Sequence, residues 1–364
     1  MEDCAIVYLS EFDPIDSFDI ASVRFALVSL EATEALLFPV PKIDREDAAP
    51  LRDRMRMMEL AADRYNSMLV PDRSDVKGCA NIQDILSVAR EILPEKQLVF
   101  MVDSREPVRL LESIEASEPI ENVAFFCISS CVFQPEDELL DRLGVTFIYN
   151  GSLPDIESGS LRGLSSLDTD IDVITYLVDK KLYRVPEVRE MYSRHRYEHA
   201  ISVAELAYRM ALHNSVDPWK AYLAGYLHDV AKELAKTPEG VSLMKSEFPE
   251  YASMPEWSYH QFLGAYVAKE KFGVRDEEVL QSIFFHTTGS GDMSSLDKII
   301  YCADKLDPFR GWDSQSYIQL CMQDIDLGFR SELQHNMEYI ESKDPEEIRD
   351  HLTSACVERY LKRL

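Results

Sequence analysis

Four histidines and two aspartates in the second half of the chain are spaced so that they could meet inside a helical bundle. They are His199, His228, Asp229, His260, His286 and Asp304. Each lies among apolar or small residues, on the side that a helical repeat turns toward an interior. A buried carboxylate needs a compensating charge. Imidazole and carboxylate together suit Fe(II), Mn(II), Co(II) or Zn(II), and not Ca²⁺, which prefers oxygen.

Six protein ligands are too many for one catalytic ion that must keep positions open for water and substrate. We therefore predict two divalent ions, with Asp229 as the ligand that they share. Two such ions can activate water at neutral pH and neutralise the oxygens of a phosphate under attack. If "LAGYLHDVAKEL" is one continuous helix, His228 and Asp229 point about 100° apart. A long imidazole and a short carboxylate could still converge on an ion between those directions.

Residues next to these ligands could hold an anionic substrate. Lys232 comes one helical turn after Asp229, and Arg310 follows the helix that carries Asp304. A guanidinium in that position can bind a phosphate in bidentate fashion. We expect Asp229 and Lys232 to take part in catalysis. The predicted substrate contacts are Lys232, Thr287, Thr288, Gly289 and Arg310. The other histidines fall on loops or polar helix faces and are interpreted as surface residues: His195, His213, His335 and His351.

Two kinds of apolar pattern divide the chain. In the first half, short buried runs alternate with amphipathic stretches, which predicts a mostly parallel sheet with helices on both faces. The predicted strands are 4–10, 35–41, 97–104, 122–129 and 145–151. After about residue 183 the apolar residues follow helical spacing alone, which predicts an all-α bundle. We place an α/β domain at 1–185 and the helical domain at 192–364.

Charge and composition restrict the partners of the chain. Its 364 residues contain 38 basic and 65 acidic side chains, a formal net charge of −27. Such a surface repels nucleic-acid phosphates and anionic lipid, so we expect neither nucleic acid nor membrane as a partner. The start, "MEDCAIVYLS", lacks the basic region of a signal peptide. Seven scattered cysteines predict reduced thiols. We expect a cytoplasmic protein, which could form a homodimer.

The metal-ligand series resembles that of the HD superfamily of metal-dependent phosphohydrolases, and His260 with His286 resembles its dinuclear members. Four segments are similar to the YqeK-type symmetrical bis(5'-nucleosyl)-tetraphosphatases: "RYEHAISVAELA", "LAGYLHDVAKEL", "HQFLGAYVAKEKFGVRDEEVLQSIFFHTTG" and "MSSLDKIIYCADKLDPFR". The resemblance covers about 192–330. It implies that the metal is iron and that diadenosine tetraphosphate is split into two ADP.

Three other functions remain to be weighed. Enzymes of the superfamily that hydrolyse guanosine tetraphosphate carry H-D-x-x-E-D, whereas Lys232 occupies the first acidic position here, which counts against that substrate. A nucleotide or deoxynucleotide phosphohydrolase could use the same metals. In a non-catalytic nucleotide-binding regulator the metal would only anchor the structure; the complete ligand set counts against this function, because a purely structural ion needs no open positions.

The stretch "YLSEFDPIDSFDIASVRFALVSLEATEALLFPVP" resembles the start of nicotinate-mononucleotide adenylyltransferases, which implies a Rossmann-like fold. The pattern of that family is F-D-P-x-H-x-G-H. The residues Phe12-Asp13-Pro14 remain, but Asp16 and Asp19 replace the histidines and Phe18 replaces the glycine. Further on, "GLSSLDTDIDVITYLVDKKLY" resembles a segment whose arginine is Asp170 here.

These replacements have a direct electrostatic consequence. In the family that this half resembles, the histidines and the arginine donate to ATP phosphates as negative charge develops. Three carboxylates in their place put like charge against the triphosphate, at several kcal/mol for each contact of about 4 Å at an effective dielectric constant of about 20. We expect this half to keep the fold and to lack adenylyl transfer. It could serve as a nucleotide sensor, a dimerisation surface or a structural partner.

Overall fold

Buried strands and helices alternate along the first half of the chain, as the sequence predicts. The computed structural model describes residues 4–116, 120–130, 132, 137–157, 159–343 and 350–362. It contains two compact units. The first comprises Met1–Arg162 and Asp168–Tyr183, and the second comprises Gly163–Leu167 and Arg184–Leu364.

Six parallel strands form the centre of the first unit, in the order β3-β2-β1-β4-β5-β6. They are β1 (Cys4–Ser10), β2 (Glu34–Pro39), β3 (Met68–Leu69), β4 (Gln97–Val102), β5 (Ala124–Ser129) and β6 (Thr146–Tyr149). This is the strand order of a Rossmann fold, so the predicted fold class is confirmed. Strand β3 was not predicted, because two residues are too few to show a periodic pattern.

Helices link the strands and cover the sheet. They are α1 (Ser17–Ser29), α2 (Leu51–Ala62), α3 (Arg73–Gly78), α4 (Ile82–Ile92), α5 (Pro107–Ser113), α6 (Glu138–Leu143), α7 (Ser160–Gly163) and α8 (Ile171–Lys180). Strand β1 is buried along its whole length because it lies between β2 and β4. Its Val7 pairs with Leu36 on one side and Phe100 on the other, and all three are fully buried.

The second unit is helical throughout its described residues. Its helices are α9 (Val185–Glu190), α10 (Arg194–His213), α11 (Pro218–Leu227), α12 (Pro238–Glu247), α13 (Tyr259–Glu270), α14 (Glu277–Phe285), α15 (Ser295–Leu306), α16 (Gln315–Gln323), α17 (Ile325–Lys343) and α18 (His351–Tyr360). Helix α10 packs on α11 and α15, and α14 packs on α11, α13 and α15. The predicted helical bundle is confirmed, whereas the activity assigned to each half stays a prediction.

Two expectations from composition bear on the described residues. None of the described helices is both long and apolar enough to cross a membrane. No two described cysteines form a disulfide, and Cys131 lies outside the described residues.

Candidate metal centre

The six predicted ligands come from five neighbouring segments of the second unit. His199 lies on α10, His260 on α13 and Asp304 on α15. The prediction of one continuous helix would place His228 and Asp229 inside that helix, but they do not lie within one. Helix α11 ends at Leu227, and a turn follows in which the Lys232 amide donates to the Asp229 carbonyl. His228 itself keeps helical backbone angles, φ −53° and ψ −42°, at the end of α11.

Two glycines allow the helices that carry the ligands to approach closely. A Cβ on Gly225 would lie 2.8 Å from Cα of Ala204, where α11 crosses α10. A Cβ on Gly264 would lie 3.1 Å from the carbonyl oxygen of His228, where α13 meets the turn after α11. Real Cβ atoms essentially never approach other atoms to within 3.0 Å, so Gly225 fixes the spacing between the His199 helix and the His228 segment.

Backbone carbonyls orient three of the imidazoles. The Nδ1 atoms of His228, His260 and His286 each lie 2.7–2.8 Å from the carbonyl oxygen three residues earlier. A carbonyl oxygen only accepts hydrogen bonds, so Nδ1 carries the proton and Nε2 presents a lone pair. Ligand histidines in metal proteins are commonly held by such a bond on the second nitrogen.

His199 is held by a carboxylate instead. Its Nδ1 lies 2.5 Å from Oδ2 of the fully buried Asp307, and the Ser202 hydroxyl donates to the other Asp307 oxygen at 2.6 Å. Its Nε2 lies 3.2 Å from Oδ1 of Asp304. Burial lowers the pKa of His199, but hydrogen bonds to Asp304 and Asp307 outweigh it and raise that pKa to about 9.

Two ligand sets share Asp229. The first set is His199, His228 and Asp229, and the second set is Asp229, His260 and His286. Within each set the candidate ligand atoms all lie within 4.8 Å of one another. Asp304 adjoins the first set, with Oδ1 3.7 Å from Nε2 of His228. In the second set, Oδ1 of Asp229 lies 3.3 Å from Nε2 of His260 and 3.7 Å from Nε2 of His286.

The chemistry of these sets fits divalent cations. Nε2 of His228 and Oδ1 of Asp229 are buried and make no hydrogen bond among the described residues, although Nζ of Lys232 lies 3.2 Å from that Oδ1. Buried polar atoms are normally satisfied, and these two are lone-pair donors that a cation would satisfy. Burial lowers the pKa of His228 to about 4, which keeps that imidazole neutral as a ligand must be, whereas His199, whose pKa is raised to about 9, has to lose a proton when a cation binds. The residues present therefore fit two transition-metal ions.

Cationic side chains surround the two carboxylates. Arg196 and Lys232 contact Asp229 at 3.1 and 3.2 Å, and Arg310 pairs with Asp304. Burial opposes ionisation of Asp229, but His228, His286 and Lys232 outweigh it and hold its pKa well below the ordinary range. These cations provide the local basic environment that a phosphate ligand needs on a chain of net charge −27.

Two open spaces adjoin the ligand sets. The arginine cleft has a volume of about 650 Å³ and is lined by Ser193, His195, Arg196, His199, Asp229, Lys232, Phe309 and Arg310. The threonine cavity has a volume of about 240 Å³, and its wall includes Lys232, Thr287, Thr288, Asp304 and Arg310. Lys232 and Arg310 line both spaces, so the two residues predicted to bind phosphate lie where the spaces meet.

The three predicted contacts after His286 are placed differently. The Thr287 hydroxyl lies 3.0 and 2.9 Å from Nε2 of His260 and His286, beside the second set. Thr288 lines the threonine cavity, but its hydroxyl bonds to Gln261. Gly289 is not among the residues that line either space. Its φ is +68°, and a Cβ there would lie 2.7 Å from Sγ of Cys356, so its role is to form the turn.

Several neighbours of the site were not predicted from the sequence. Asp307 binds His199, Arg196 binds Asp229, and Lys305 donates to the His286 carbonyl at 2.9 Å. Asp307 follows Asp304 by three residues, a spacing that puts two helical side chains on one face. The sequence therefore contained a signal for Asp307. It contained none for Arg196, because Arg196 and Asp229 lie on two separate elements.

One surface histidine was misplaced by the sequence interpretation. His335 is only partly exposed, and its ring stacks on Trp312 with centroids 4.7 Å apart. Both residues line an aromatic cavity of about 420 Å³ that also includes Arg310, Glu332 and Tyr339. The sequence of α17 has few apolar positions, so its faces were interpreted as polar. The face that carries His335 nevertheless closes a cavity.

The first unit has its own crevice, at the carboxyl ends of β1 and β4. In an open sheet of this strand order, ligands bind at the point where the order reverses, which is here. Arg105 lies in the crevice and pairs with Asp16, Asp19 and Asp103 at 2.5, 2.9 and 2.7 Å. Its guanidinium also lies 4.4 Å from the centre of the Phe18 ring.

The remaining space in this crevice is about 30 Å³, far below the 300–1,000 Å³ of usual ligand pockets. Asp16 and Asp19 form the capping box of α1, each accepting from the other's backbone amide. The acids found at the family's histidine positions thus stabilise the helix and bind Arg105. The space is filled by residues of this chain.

Comparisons with known proteins agree with this division of the chain. The model of the HD domain family matches residues 196–308. A "Probable nicotinate-nucleotide adenylyltransferase/Ap4A hydrolase" of Mycoplasma genitalium is 27% identical over 318 residues, which cover 85% of this chain and 89% of that protein. A "Bis(5'-nucleosyl)-tetraphosphatase, symmetrical" of Halalkalibacterium halodurans is 39% identical over 125 residues, 34% of this chain and 66% of that protein.

Among solved structures, a "predicted HD superfamily hydrolase involved in NAD metabolism" from Clostridium acetobutylicum aligns at 26% identity and a TM-score of 0.44. That alignment covers 49% of this chain and 97% of the other. The match of the family model falls on the unit that contains both ligand sets, and the mycoplasma relative aligns through both units. The resemblance to the HD superfamily is therefore confirmed over residues 196–308, and the first unit has a Rossmann-like fold.

Proposed function

We propose that the second unit hydrolyses dinucleoside tetraphosphates symmetrically to two nucleoside diphosphates, with diadenosine tetraphosphate as the first substrate to test. The names of the relatives from H. halodurans and M. genitalium support this substrate class. So does the presence of both predicted phosphate-binding residues, Lys232 and Arg310, beside the ligand sets. A cytoplasmic setting and a homodimer stay predictions.

The observation that carries the proposal is a shared carboxylate between two ligand sets, with open space on both sides. A substrate cut at its middle has two equivalent halves, and each half needs room next to the reacting phosphorus. The arginine cleft and the threonine cavity, about 650 and 240 Å³, both adjoin the ligand sets. An enzyme that removes a terminal phosphate needs only one such space.

Two divalent ions, iron in the first instance, would supply an activated water and neutralise charge on the phosphate oxygens. The first ligand set with Asp304 would hold one ion, and the second ligand set would hold the other. Asp229 belongs to both sets. The carbonyl and carboxylate partners of the Nδ1 atoms keep all four imidazoles aimed at the ions before substrate arrives.

The cationic side chains have separate roles toward the substrate. Phosphoryl transfer depends on positioning and neutralisation of charge more than on covalent chemistry. Arg310 adjoins both spaces, so it would hold the central phosphates in bidentate fashion. Lys232 and Thr287 would bind phosphate oxygens next to the second set. Arg196, which contacts Asp229 at 3.1 Å, would bind phosphate in the arginine cleft.

Chromatography of the products from diadenosine tetraphosphate tests the cut directly. Two ADP are expected, while AMP plus ATP would refute symmetric cleavage. Release of inorganic phosphate from mononucleotides, with no turnover of the tetraphosphate, would favour the alternative nucleotide phosphohydrolase. Bound metal without any turnover would favour a non-catalytic regulator. Elemental analysis of purified protein should find close to two transition-metal ions per chain.

Replacement of the shared ligand tests the mechanism. Asp229→Ala should remove both metal retention and turnover, because both sets lose a ligand. The matched control is Asp292→Ala at an exposed position in the same unit. Turnover that survives in Asp229→Ala would rule out a mechanism with two ions.

We propose further that the first unit does not transfer adenylyl groups. Arg105 and its three aspartates fill the crevice where the nucleotide would bind, and about 30 Å³ remains. Incubation with ATP and nicotinate mononucleotide should yield no dinucleotide. Formation of the dinucleotide by the purified chain would overturn this proposal.

A further inference from the structure

The aromatic cavity beside Arg310 contains polar groups that the hydrolytic machinery does not use. Glu332 on α17 is 2% exposed, and its Oε2 has no hydrogen-bond partner among the described residues. Nδ1 of His335, one turn further along the helix, is likewise without a hydrogen-bond partner in the described part of the chain, and it lies 3.5 Å from that oxygen. An unsatisfied buried acceptor costs about 1–3 kcal/mol, so such an arrangement usually has a reason.

Three of the seven residues that line this cavity are aromatic: Trp312, His335 and Tyr339. The rings of Trp312 and His335 stack with centroids 4.7 Å apart and planes at 26°. The Tyr317 ring lies 5.1 Å from that of His335. The cavity volume, about 420 Å³, is within the range of small-molecule sites. Aromatic side chains next to open space are the usual surface on which nucleobases stack.

The cavity connects to the candidate metal centre through shared residues. Arg310 lines the aromatic cavity, the arginine cleft and the threonine cavity, and Lys305 lines the aromatic and threonine cavities. Arg310 pairs with the predicted ligand Asp304. A phosphate held by Arg310 would therefore leave the rest of its nucleotide next to the aromatic wall.

We propose that the aromatic cavity binds the nucleobase of one substrate half, a purine with an exocyclic amine, through stacking on Trp312 and hydrogen bonds to Glu332. The proposal rests on the proposed hydrolysis of dinucleoside tetraphosphates. A carboxylate oxygen accepts from the exocyclic amine of a base, as Glu and Asp do in nucleic-acid recognition, and adenine and guanine both carry such an amine. Uracil has one ring N–H between two carbonyl oxygens, and those carbonyls would face the carboxyl group unfavourably.

Binding measured without turnover tests this assignment. Calorimetric titration of the purified holoprotein with ADP, GDP, UDP and inorganic pyrophosphate gives the share of affinity that depends on the base. We expect ADP or GDP to bind at least about tenfold more tightly than UDP, because lost hydrogen bonds at a buried site reduce affinity by that order. Glu332→Leu, which removes both carboxyl oxygens, should remove most of this preference and leave pyrophosphate affinity unchanged.

Two further variants sharpen the test. Glu338→Leu makes the same change at an exposed position on the same helix and should keep the purine preference. Trp312→Ala should weaken ADP and UDP alike, by about tenfold or more, because stacking is tolerant of base identity. Trp219→Ala removes an indole outside the cavity lining and should leave nucleotide affinity unchanged.

The outcomes separate this inference from the proposed function. If the holoprotein does not cleave the tetraphosphate but Glu332→Leu loses the purine preference, the base site stands and the proposed reaction is wrong. If cleavage proceeds to two ADP but Glu332→Leu and Trp312→Ala keep wild-type affinities for every nucleotide, the base site is wrong. A holoprotein that binds ADP, GDP and UDP no more tightly than pyrophosphate also overturns it.

Discussion

Glu332→Gln should make the second unit more stable, and increasingly so as the pH rises. Burial raises the pKa of Glu332 from 4.5 to about 7, although Lys305 and Arg310 partly oppose it. A displacement of one pH unit between folded and unfolded pKa values corresponds to about 1.4 kcal/mol. Ionised Glu332 therefore costs the folded state about 3 kcal/mol relative to an exposed glutamate.

The sign of the pH dependence follows from proton binding. Between about pH 4.5 and 7 the folded state holds a proton on Glu332 that the unfolded state has released. Stability of the wild type then falls as the pH rises across that window, and the full penalty is present above it. Glutamine carries no charge, so the stability of Glu332→Gln relative to wild type should increase by about 3 kcal/mol from pH 4.5 to 8.

Urea unfolding followed by tryptophan fluorescence suits this measurement. The three tryptophans, Trp219, Trp257 and Trp312, all belong to the second unit, so the signal reports on that unit alone. Glu338→Gln, on the exposed side of the same helix, should stay within about 0.5 kcal/mol of wild type at every pH. A difference between Glu332→Gln and wild type that does not change with pH would refute the reasoning.

Three other perturbations test the remaining structural arguments. Asp307→Asn should lower metal affinity about 10- to 100-fold because it weakens the hydrogen bond that orients His199. Elemental analysis after dialysis against a graded chelator measures this affinity. The control Asp292→Asn, at an exposed position, should retain the metal. Gly225→Ala should destabilise the second unit by about 1–3 kcal/mol because its Cβ would lie 2.8 Å from the Ala204 backbone. The same urea assay measures this loss of stability. Gly291→Ala, where the nearest atom is 3.4 Å from the new Cβ, should destabilise the unit less. Arg105→Met should destabilise the first unit by about 3–5 kcal/mol because it leaves three buried aspartates without their cation. Hydrogen exchange of the β1 and β4 amides measures this loss. Equal protection of these amides in Arg105→Met and in the exposed-site control Arg73→Met would contradict the role of the ion pairs.

Periodicity and residue type by themselves determined much of the fold. The buried runs at 4–10 and 97–104 indicated the two central strands, since a strand covered on both faces must be apolar along its length. Helical spacing after residue 183 indicated the bundle. These signals are local, because each depends only on which faces of one segment avoid water.

The composition of the site was likewise predictable, whereas its geometry was not. Histidine and aspartate at buried helical positions indicated a metal site, since those side chains have few other reasons to be there. The end of α11 at Leu227 was missed, because the apolar pattern continues past it and tertiary packing against α10 and α13 decides where the helix stops.

What only the tertiary structure decided is which distant residues come together. The contacts of Asp307 with His199, of Arg105 with Asp16 and Asp19, and of His335 with Trp312 join separate elements. Each partner is present in the sequence, but a local pattern does not show which of these residues contact each other. Such contacts depend on how whole helices and strands pack, because distances of about 3 Å between side chains are set by the summed geometry of the backbone between them.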